Sequence, residues 1–198
     1  MTEAPLWLGA IASAIAFTLL GIYVTHAPLG WPDTLAAHCF GRGIPVAVAF
    51  TVSGYARIIV VVIAAAAVAS LAARVSLIPI FVIALIQTVS QVCVALIKDV
   101  FGRTRPDRWK FQQERGNSYP SGHAATAVAL YGLLVWLAFH ARAPAVLKET
   151  LIAALALWIA GIFWSRIALG AHYPTDVVGG ALIGAAFAFS GIAAFHLD

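Results

Sequence analysis

Residues Ser165–Asp176 read SRIALGAHYPTD and place an arginine, a histidine and an aspartate between two strongly apolar segments. His172 and Asp176 are four residues apart, so a single helical turn could bring the carboxylate beneath the imidazole. Arg166 lies six residues before His172, which is too far for one helical face, so a turn has to fold it back. The glycine and the proline inside the stretch are residues that turns favour. A cation, an imidazole and a carboxylate at the edge of an apolar segment indicate phosphoryl chemistry at a bilayer surface.

The composition around this stretch is that of a membrane protein. Hydrophobic residues make up 62% of the 198 residues and charged residues only 10%, whereas a soluble domain is about half apolar and about a quarter charged. Apolar runs of about 18 residues or more recur, and that length crosses a bilayer. The net charge of +4 does not indicate nucleic-acid binding, because the cations gather near the candidate chemical residues and form no long basic stripe.

Neither the cysteines nor the N-terminal segment indicates another class of protein. Cys39 and Cys93 lack a metal-ligand spacing, and Cys93 lies deep in an apolar run, so no disulfide framework is expected. The apolar N-terminal segment has no basic region before it, and we interpret it as a retained membrane segment and not as a signal peptide.

The hydropathy pattern predicts an all-α fold, a six-transmembrane-helix bundle that forms a single integral-membrane domain over residues 1–198. The predicted spans lie at about 5–25, 55–73, 77–97, 122–140, 150–165 and 176–195. The fifth has a short uncharged core, and Arg166 at its end can extend to the interface. Polar side chains in the third span are costly in lipid and are expected to face the bundle interior. They are Gln87, Thr88, Ser90 and Gln91.

Six spans put both termini on one membrane face and three polar connections, 26–54, 98–119 and 166–175, on the other. We interpret 26–54 as a surface connection with a short interfacial helix at about 33–40. The short loops of the opposite face carry basic residues, so the positive-inside rule assigns that face to the cytoplasm and the polar connections to the outside. Those basic residues are Arg74, Arg142 and Lys148.

Two further groups of residues fall on the face of the polar connections. Lys98 ends the third span, and Arg105-Pro106 follows with Arg103 between them. Arginine binds phosphate through its bidentate fork and lysine as a point charge, although such a cluster can also attract anionic headgroups. The second group, Pro120-Ser121-Gly122-His123, precedes a long apolar run and is typical of a helix start.

A helix start of this kind has free N–H groups and a dipole that favour an anion. Ser121 could donate its hydroxyl, Gly122 allows close backbone approach, and His123 would lie in the first turn. The alternative is an ordinary helix cap with an incidental histidine. In the third group, Asp176 could fix the tautomer of His172, and the alternative is a salt bridge of Arg166 with Asp176 at the membrane edge.

The three groups together favour a functional interpretation, because three accidents would have to fall on one membrane face. In order along the chain, they resemble the three signature motifs of the type 2 phosphatidic acid phosphatase family, which includes membrane lipid phosphatases and the soluble vanadium haloperoxidases. The resemblance covers residues 98–176 by motif and nearly the whole chain by hydropathy. The matching motifs are Lys98-x6-Arg105-Pro106, Pro120-Ser121-Gly122-His123 and Ser165-Arg166-x5-His172-x3-Asp176.

The resemblance implies a role for each motif residue. His172 would be the nucleophile that forms a phosphohistidine, Asp176 would orient its ring, and His123 would be the general acid that protonates the leaving group. The remaining motif residues would hold the phosphate oxygens. These are Lys98, Arg105, Ser121, Gly122 and Arg166.

We expect no metal ion and no other cofactor. Three cations can stabilise a transferring phosphoryl group, and Asp99, Asp107 and Glu114 are scattered along a basic loop and offer no Mg²⁺ site. The expected partners are a lipid phosphate substrate and the bilayer, with no nucleic acid and no obligatory protein partner.

The sequence thus predicts a lipid phosphate or diphosphate phosphatase in a bacterial inner membrane, with its active site on the periplasmic or external face. Undecaprenyl diphosphate and phosphatidylglycerol phosphate are favoured over phosphatidic acid and lipid A phosphate. Two alternatives stay open: a phosphotransferase of the same family with a polyprenyl diphosphate donor, and a non-catalytic lipid-binding or transport protein. A haloperoxidase is disfavoured by the six spans, because those enzymes are soluble.

Overall fold

The computed structural model describes residues 3–27, 29–35, 40–106 and 116–195, and within these ranges the regular structure is helical throughout. Residues 36–39 of the predicted interfacial helix and 107–115 of the basic loop lie outside the described residues. The helices are α1 Ala4–His26, α2 Trp31–Leu35, α3 Ile44–Val52, α4 Ala56–Ala72, α5 Ile78–Phe101, α6 Gly122–Thr126, a π-helical segment Ala127–Gly132, α7 Leu133–His140, α8 Ala145–Ala168 and α9 Pro174–Phe195.

The predicted all-α membrane bundle is confirmed. Among the described residues, five helical runs are long and apolar enough to cross a membrane, namely α1, α5, the continuous run from α6 to α7, α8 and α9. A sixth span is present if α3 and α4 are counted together. The two helices pass the length and hydropathy criteria as a pair, but a short break bends them by 60°. The chain is therefore an integral membrane protein, and its described residues contain five to six candidate spans.

The interpretation of residues 26–54 as a surface connection is wrong. Its described part contains the short helix α2 and the apolar nine-residue helix α3. Pro45 and the glycines around it are typical of a break, but Pro45 lies in the first turn of α3. In the first turn a backbone N–H has no acceptor within the helix, so proline, which lacks this N–H, costs no hydrogen bond there.

Two other helices are longer than their predicted spans. Hydropathy falls where charged residues begin, but the backbone can continue as a helix through charged residues. In α5 the backbone continues past Lys98 to Gly102, whose φ of 62° provides a left-handed C-cap. In α8 the helix begins at Ala145 and includes Lys148, whose Nζ donates to the carbonyl of Phe139 at 3.0 Å.

Most of the polar residues of α5 face the bundle interior, as predicted. Gln87 and Ser90 are buried and Gln91 is half-buried. Gln87 Nε2 donates to Thr126 Oγ1 at 2.9 Å, and Gln91 Nε2 donates to the Gly122 carbonyl at 3.3 Å. These contacts attach α5 to α6, the helix that begins at the second motif.

Two predictions about polar groups are wrong. Thr88 is exposed, and its hydroxyl donates to the Ala84 carbonyl at 2.8 Å, which lets threonine face lipid without an unsatisfied donor. Arg166 does not extend to the interface, because it has 0% of its surface exposed. Its guanidinium lies inside the bundle, where α8 approaches α3.

Glycines of α9 allow this helix to pack directly on the start of α6. A Cβ atom added at Gly180 would lie 2.3 Å from the Ser121 carbonyl oxygen, and one at Gly184 would lie 2.6 Å from that of Ala125. Small residues permit such close approach of helices in membranes. The Ser121 N–H also donates to the Asp176 carbonyl at 3.0 Å. The second and third motifs therefore meet at the same end of the bundle.

Tyr119 anchors the second motif to α1. It is fully buried, its hydroxyl donates to the Phe17 carbonyl at 2.7 Å, and its ring stacks on that of Phe17 at 5.4 Å. Burial raises the pKa of Tyr119, so the phenol stays neutral and keeps its proton for this hydrogen bond. The loop before Ser121 is thereby fixed on the α1 side of the bundle.

Candidate functional site

A tight turn between α8 and α9 brings Arg166 back to His172. Gly170 adopts a φ of 68°, in the left-handed region that glycine tolerates. The carbonyl of Arg166 accepts the N–H groups of Ala171 at 3.1 Å and of His172 at 3.2 Å. The turn expected from the spacing and the glycine is therefore present, and it closes the third motif on itself.

Asp176 lies in the first turn of α9, with one carboxylate oxygen facing His172. Its Oδ2 is 3.6 Å from His172 Nδ1 and accepts the Tyr173 N–H at 2.8 Å. This return from the third helical residue to the N-cap is one half of a capping box. His172 is 1% exposed and Asp176 is 0% exposed. Helix capping thus fixes the carboxylate beside the buried imidazole.

Arg105 lies on the other edge of the imidazole. Its Nη1 is 3.3 Å from His172 Nε2 and donates to the Ala171 carbonyl at 3.0 Å. Its Nε donates to the Gly116 carbonyl at 2.9 Å. The ring of His172 therefore has a carboxylate near Nδ1 and a guanidinium near Nε2, so an anion bound by Arg105 would meet Nε2.

Lys98 lies in the last turn of α5, beside the segment that leads to the second motif. Its Nζ donates to the Asn117 carbonyl at 2.9 Å. Asn117 also donates from Nδ2 to Asp99 Oδ1 at 3.2 Å. The first motif is thus attached to residues just before Ser121.

Ser121 is the N-cap of α6, as the helix-start pattern predicts. Its hydroxyl oxygen accepts the Ala124 N–H at a long 3.4 Å. The side chain is fully buried, and Gly122 opens the helix with His123 in the first turn. The ordinary capping role left open above is therefore present, and it is compatible with a hydroxyl that also faces a bound anion.

The junction of α3 and α4 contacts both His123 and Arg166. The ring of Tyr55 packs edge-on against His123, with 5.3 Å between the centroids. A Cβ atom at Gly54 would lie 2.1 Å from His123 Cδ2. On the other side, Arg166 Nη1 donates to Thr51 Oγ1. Residues 51–55, the α3–α4 junction, therefore contact both the second motif and the third.

Sequence reasoning missed these junction residues because it placed residues 26–54 on the surface. One signal was available: Thr51 is a polar residue within an apolar helix, and such residues in membrane helices face the bundle interior. Gly54 carried no comparable signal, since a glycine between helices is also typical of an ordinary turn.

The sequence placed Arg103 among cations that could bind phosphate and Asp33 in a surface connection, but the structure pairs the two side chains with each other. Arg103 Nη1 donates to Asp176 Oδ1 at 2.5 Å, and its Nη2 donates to Asp33 Oδ2 at 2.8 Å. All three side chains are buried. Burial alone would lower the pKa of Arg103, but the charges and hydrogen bonds of Asp176 and Asp33 raise it overall. The arginine is therefore charged and held by carboxylates.

No set of three or more His, Cys, Asp or Glu side chains within the described ranges is arranged to hold a metal ion. Asp107 and Glu114, which the sequence analysis discussed as scattered acidic residues, lie outside those ranges. Metal independence accordingly stays a prediction.

Comparison with known proteins relates this site to one family. The family model of the PAP2 superfamily matches residues 76–197, which include all three motifs. Phosphatidylglycerophosphatase B of Escherichia coli strain K12 is 37% identical over 76 residues, 38% of this chain and 28% of that protein. Lipid A 1-phosphatase of Rhizobium johnstonii is 32% identical over 102 residues, 46% of this chain and 38% of that protein. The matched segments thus span less than half of these relatives.

The fold has a close counterpart among solved structures. The crystal structure of a transmembrane PAP2-type phosphatidylglycerolphosphate phosphatase from Bacillus subtilis matches with a TM-score of 0.83. The match covers 94% of this chain and 96% of that chain at 19% sequence identity, so it shows a shared fold. Since the family model covers more than half of the sequence, including every motif described above, the chain belongs to the PAP2 superfamily.

Proposed function

We propose that the protein is a membrane lipid phosphatase that hydrolyses a phosphate from a lipid headgroup through a phosphohistidine intermediate on His172. The observation that carries the proposal is the setting of this imidazole, buried between the Asp176 carboxylate at Nδ1 and the Arg105 guanidinium at Nε2. A carboxylate on one nitrogen fixes the tautomer and leaves the other nitrogen to attack. A cation at the attacking edge binds the phosphate that is attacked.

In the first step, Nε2 of His172 attacks phosphorus and the bond from phosphorus to the leaving oxygen breaks. His123 donates a proton to that oxygen, so the lipid leaves as an alcohol or as a lipid monophosphate. Phosphoryl transfer depends mainly on alignment and charge stabilisation, which the phosphate-binding residues would supply. These are Lys98, Arg105, Ser121, the Gly122 N–H and Arg166.

In the second step, water attacks the phosphohistidine. His123, now neutral, takes a proton from that water, and inorganic phosphate leaves as the bond between nitrogen and phosphorus breaks. The same residue is thus acid in one step and base in the next. The Asp176 carboxylate stabilises the positive charge that His172 carries while it is phosphorylated.

The names of the relatives support a phosphate on a membrane lipid as the substrate. They are a phosphatidylglycerophosphatase and a lipid A phosphatase, both named for phosphates on membrane lipids. We propose phosphatidylglycerol phosphate or undecaprenyl diphosphate as the substrate, which would place the protein in phospholipid or cell-wall metabolism. The motifs lie at the ends of candidate spans, where a headgroup would reach them. The basic loops at the opposite ends favour an active site on the periplasmic face of the inner membrane.

A phosphate-release assay tests this function. The purified protein in detergent is given phosphatidylglycerol phosphate, undecaprenyl diphosphate, phosphatidic acid and lipid A in separate reactions, each run with and without EDTA. We expect inorganic phosphate from one of the first two at the highest rate, with no loss of rate in EDTA. Transfer to a lipid acceptor without free phosphate would favour the phosphotransferase, and no reaction with any lipid would contradict the proposal.

Gly54→Ala should lower kcat by about 10²-fold. The new Cβ would lie 2.1 Å from His123 Cδ2 and 2.9 Å from Nε2, so the imidazole has to move. A displacement of about 1 Å in a catalytic group can cost about 10²-fold in rate. Steady-state kinetics on the preferred lipid measure the effect.

Gly132→Ala is the matched control for this substitution. The nearest neighbour of its Cβ would be Val128 Cγ1 at an ordinary 3.9 Å, so its kcat should stay within about twofold of wild type. If Gly54→Ala kept the kcat of the control, the α3–α4 junction would not position His123.

A further inference from the structure

Three buried charged residues form a cluster directly behind the candidate nucleophile. Asp33 is 4% exposed, Arg103 is 7% exposed and Asp176 is 0% exposed. They come from α2, from the segment after α5 and from the first turn of α9, so the cluster joins three parts of the chain. A buried charge is costly unless it is paired and hydrogen-bonded, and the Arg103 guanidinium is paired with both carboxylates.

The guanidinium of Arg103 holds one oxygen of Asp176 and leaves the other to His172. Its Nη1 donates to Asp176 Oδ1 at 2.5 Å and to Thr175 Oγ1 at 2.7 Å. The second oxygen, Oδ2, accepts the Tyr173 N–H and lies 3.6 Å from His172 Nδ1. With both oxygens held, the plane of the carboxylate is fixed relative to the imidazole.

Asp33 fixes Arg103 from the far side. Its Oδ2 accepts from Arg103 Nη2 at 2.8 Å, and its Oδ1 accepts the Thr175 N–H at 3.1 Å. The Thr175 hydroxyl lies 2.9 Å from either oxygen of Asp33. The ring of Tyr173 covers the guanidinium at 4.5 Å. Asp33 therefore also ties α2 to the first turn of α9.

The charge of the cluster suits a cationic intermediate. Two carboxylates and one guanidinium leave a net charge of −1 next to His172, and a phosphorylated or protonated imidazole carries positive charge. A nearby negative charge stabilises that form. Arg103 itself is engaged by both carboxylates, and so it differs from Arg105, which lies at the Nε2 edge of the ring.

We propose that Arg103 and Asp33 are positioning residues for His172, with Arg103 setting the orientation of Asp176 and Asp33 setting that of Arg103. This inference rests on the proposed function, in which Nε2 of His172 attacks the phosphate. Arg103 and Asp33 would then affect the rate of the chemical step through Asp176, without binding the phosphate themselves. A purely structural role would instead tie α2 to α9 and affect only stability.

The test compares Asp33→Asn, Arg103→Gln and Arg103→Lys with wild type in single-turnover formation of the phospho-enzyme and in steady-state kinetics. We expect kcat and the rate of phosphorylation to fall about 10- to 100-fold in the first two variants, the range seen for residues that orient a reacting group. KM should stay within about threefold, because the phosphate-binding residues are unchanged. Arg103→Lys keeps the charge without the fork and should recover part of the rate.

The double variant separates positioning from structure. If Asp33 acts through Arg103, adding Asp33→Asn to Arg103→Gln should slow phosphorylation by less than about twofold more, since residues in one chain of contacts are not additive. Arg42→Gln is the matched control, because Arg42 is exposed, and it should keep the wild-type rate.

The failures of the inference and of the function are distinguishable. A wild-type protein that forms no phospho-enzyme contradicts the proposed function. A wild type that forms it while Asp33→Asn and Arg103→Gln match its rate overturns the inference, as does a rise in KM with kcat unchanged. If Arg103→Gln does not fold, because it leaves two buried carboxylates facing each other, the near-isosteric Asp33→Asn decides alone.

Discussion

His172→Ala should abolish the phospho-enzyme and lower the rate of phosphate release by about 10⁴-fold or more. In the proposed mechanism the imidazole forms the bond to phosphorus, so alanine removes the reacting atom and leaves only the groups that bind phosphate. Arg105 loses its neighbour at Nε2 and Asp176 loses its neighbour at Nδ1. Binding of the lipid should therefore persist while turnover does not.

Acid and alkaline quenching of a reaction with labelled lipid measures this outcome. A phosphohistidine survives alkali and is lost in acid, so wild type should retain protein-bound label only in alkali, and His172→Ala should retain none. His140→Ala is a suitable control, because His140 is an exposed histidine at the end of α7, and it should label like wild type. Alkali-stable label on His172→Ala would assign the nucleophile to another residue.

The parts of the fold that the sequence predicted correctly depend on local patterns. Long apolar runs specify helices that cross a bilayer, and Gly170 specifies a turn that no other residue makes as easily. Because that turn is short, the spacing from Arg166 to His172 was enough to place the two together. The start of α6 was equally readable, since Ser121 precedes a long apolar run as an N-cap does.

The parts that the sequence did not predict depend on contacts between distant positions. Asp33 meets Thr175 across 142 residues, and Thr51 meets Arg166 across 115. Neither pairing leaves a periodic pattern in the local sequence. A lone aspartate near prolines and glycines is typical of a surface loop, and only packing of α2 against α9 shows that Asp33 is buried and paired with Arg103.

The ends of two helices were also predicted incorrectly from the sequence. Charged residues lower the hydropathy of a window, yet they are favourable at helix ends, where cations interact with the dipole. Lys98 in the last turn of α5 is such a case, and the helix ends only at Phe101, before its C-cap Gly102. The predicted span therefore stopped just before Lys98, which the helix includes. This matters for the site, because it fixes Lys98 to a rigid element and not to a loop.

His123→Ala should slow turnover of a lipid substrate by about 10²- to 10⁴-fold, the usual contribution of a general acid or base. The leaving group is an alkoxide or a phosphate that needs a proton, and the proposed donor is the His123 imidazole, which packs against Gly54 and Tyr55. Steady-state kinetics on the preferred lipid give the size of the effect, with His140→Ala as the control.

The choice of leaving group then separates the two roles of His123. When p-nitrophenyl phosphate is the substrate, the leaving group is p-nitrophenolate, which needs no protonation, so His123→Ala should be phosphorylated nearly as fast as wild type. Hydrolysis of the phosphohistidine would still lack its base, so a burst of p-nitrophenol should precede slow turnover, and phospho-enzyme should accumulate. Equal slowing with both substrates and no burst would contradict the acid–base role and leave His123 as a phosphate ligand, because a lost ligand slows the transfer whatever the leaving group.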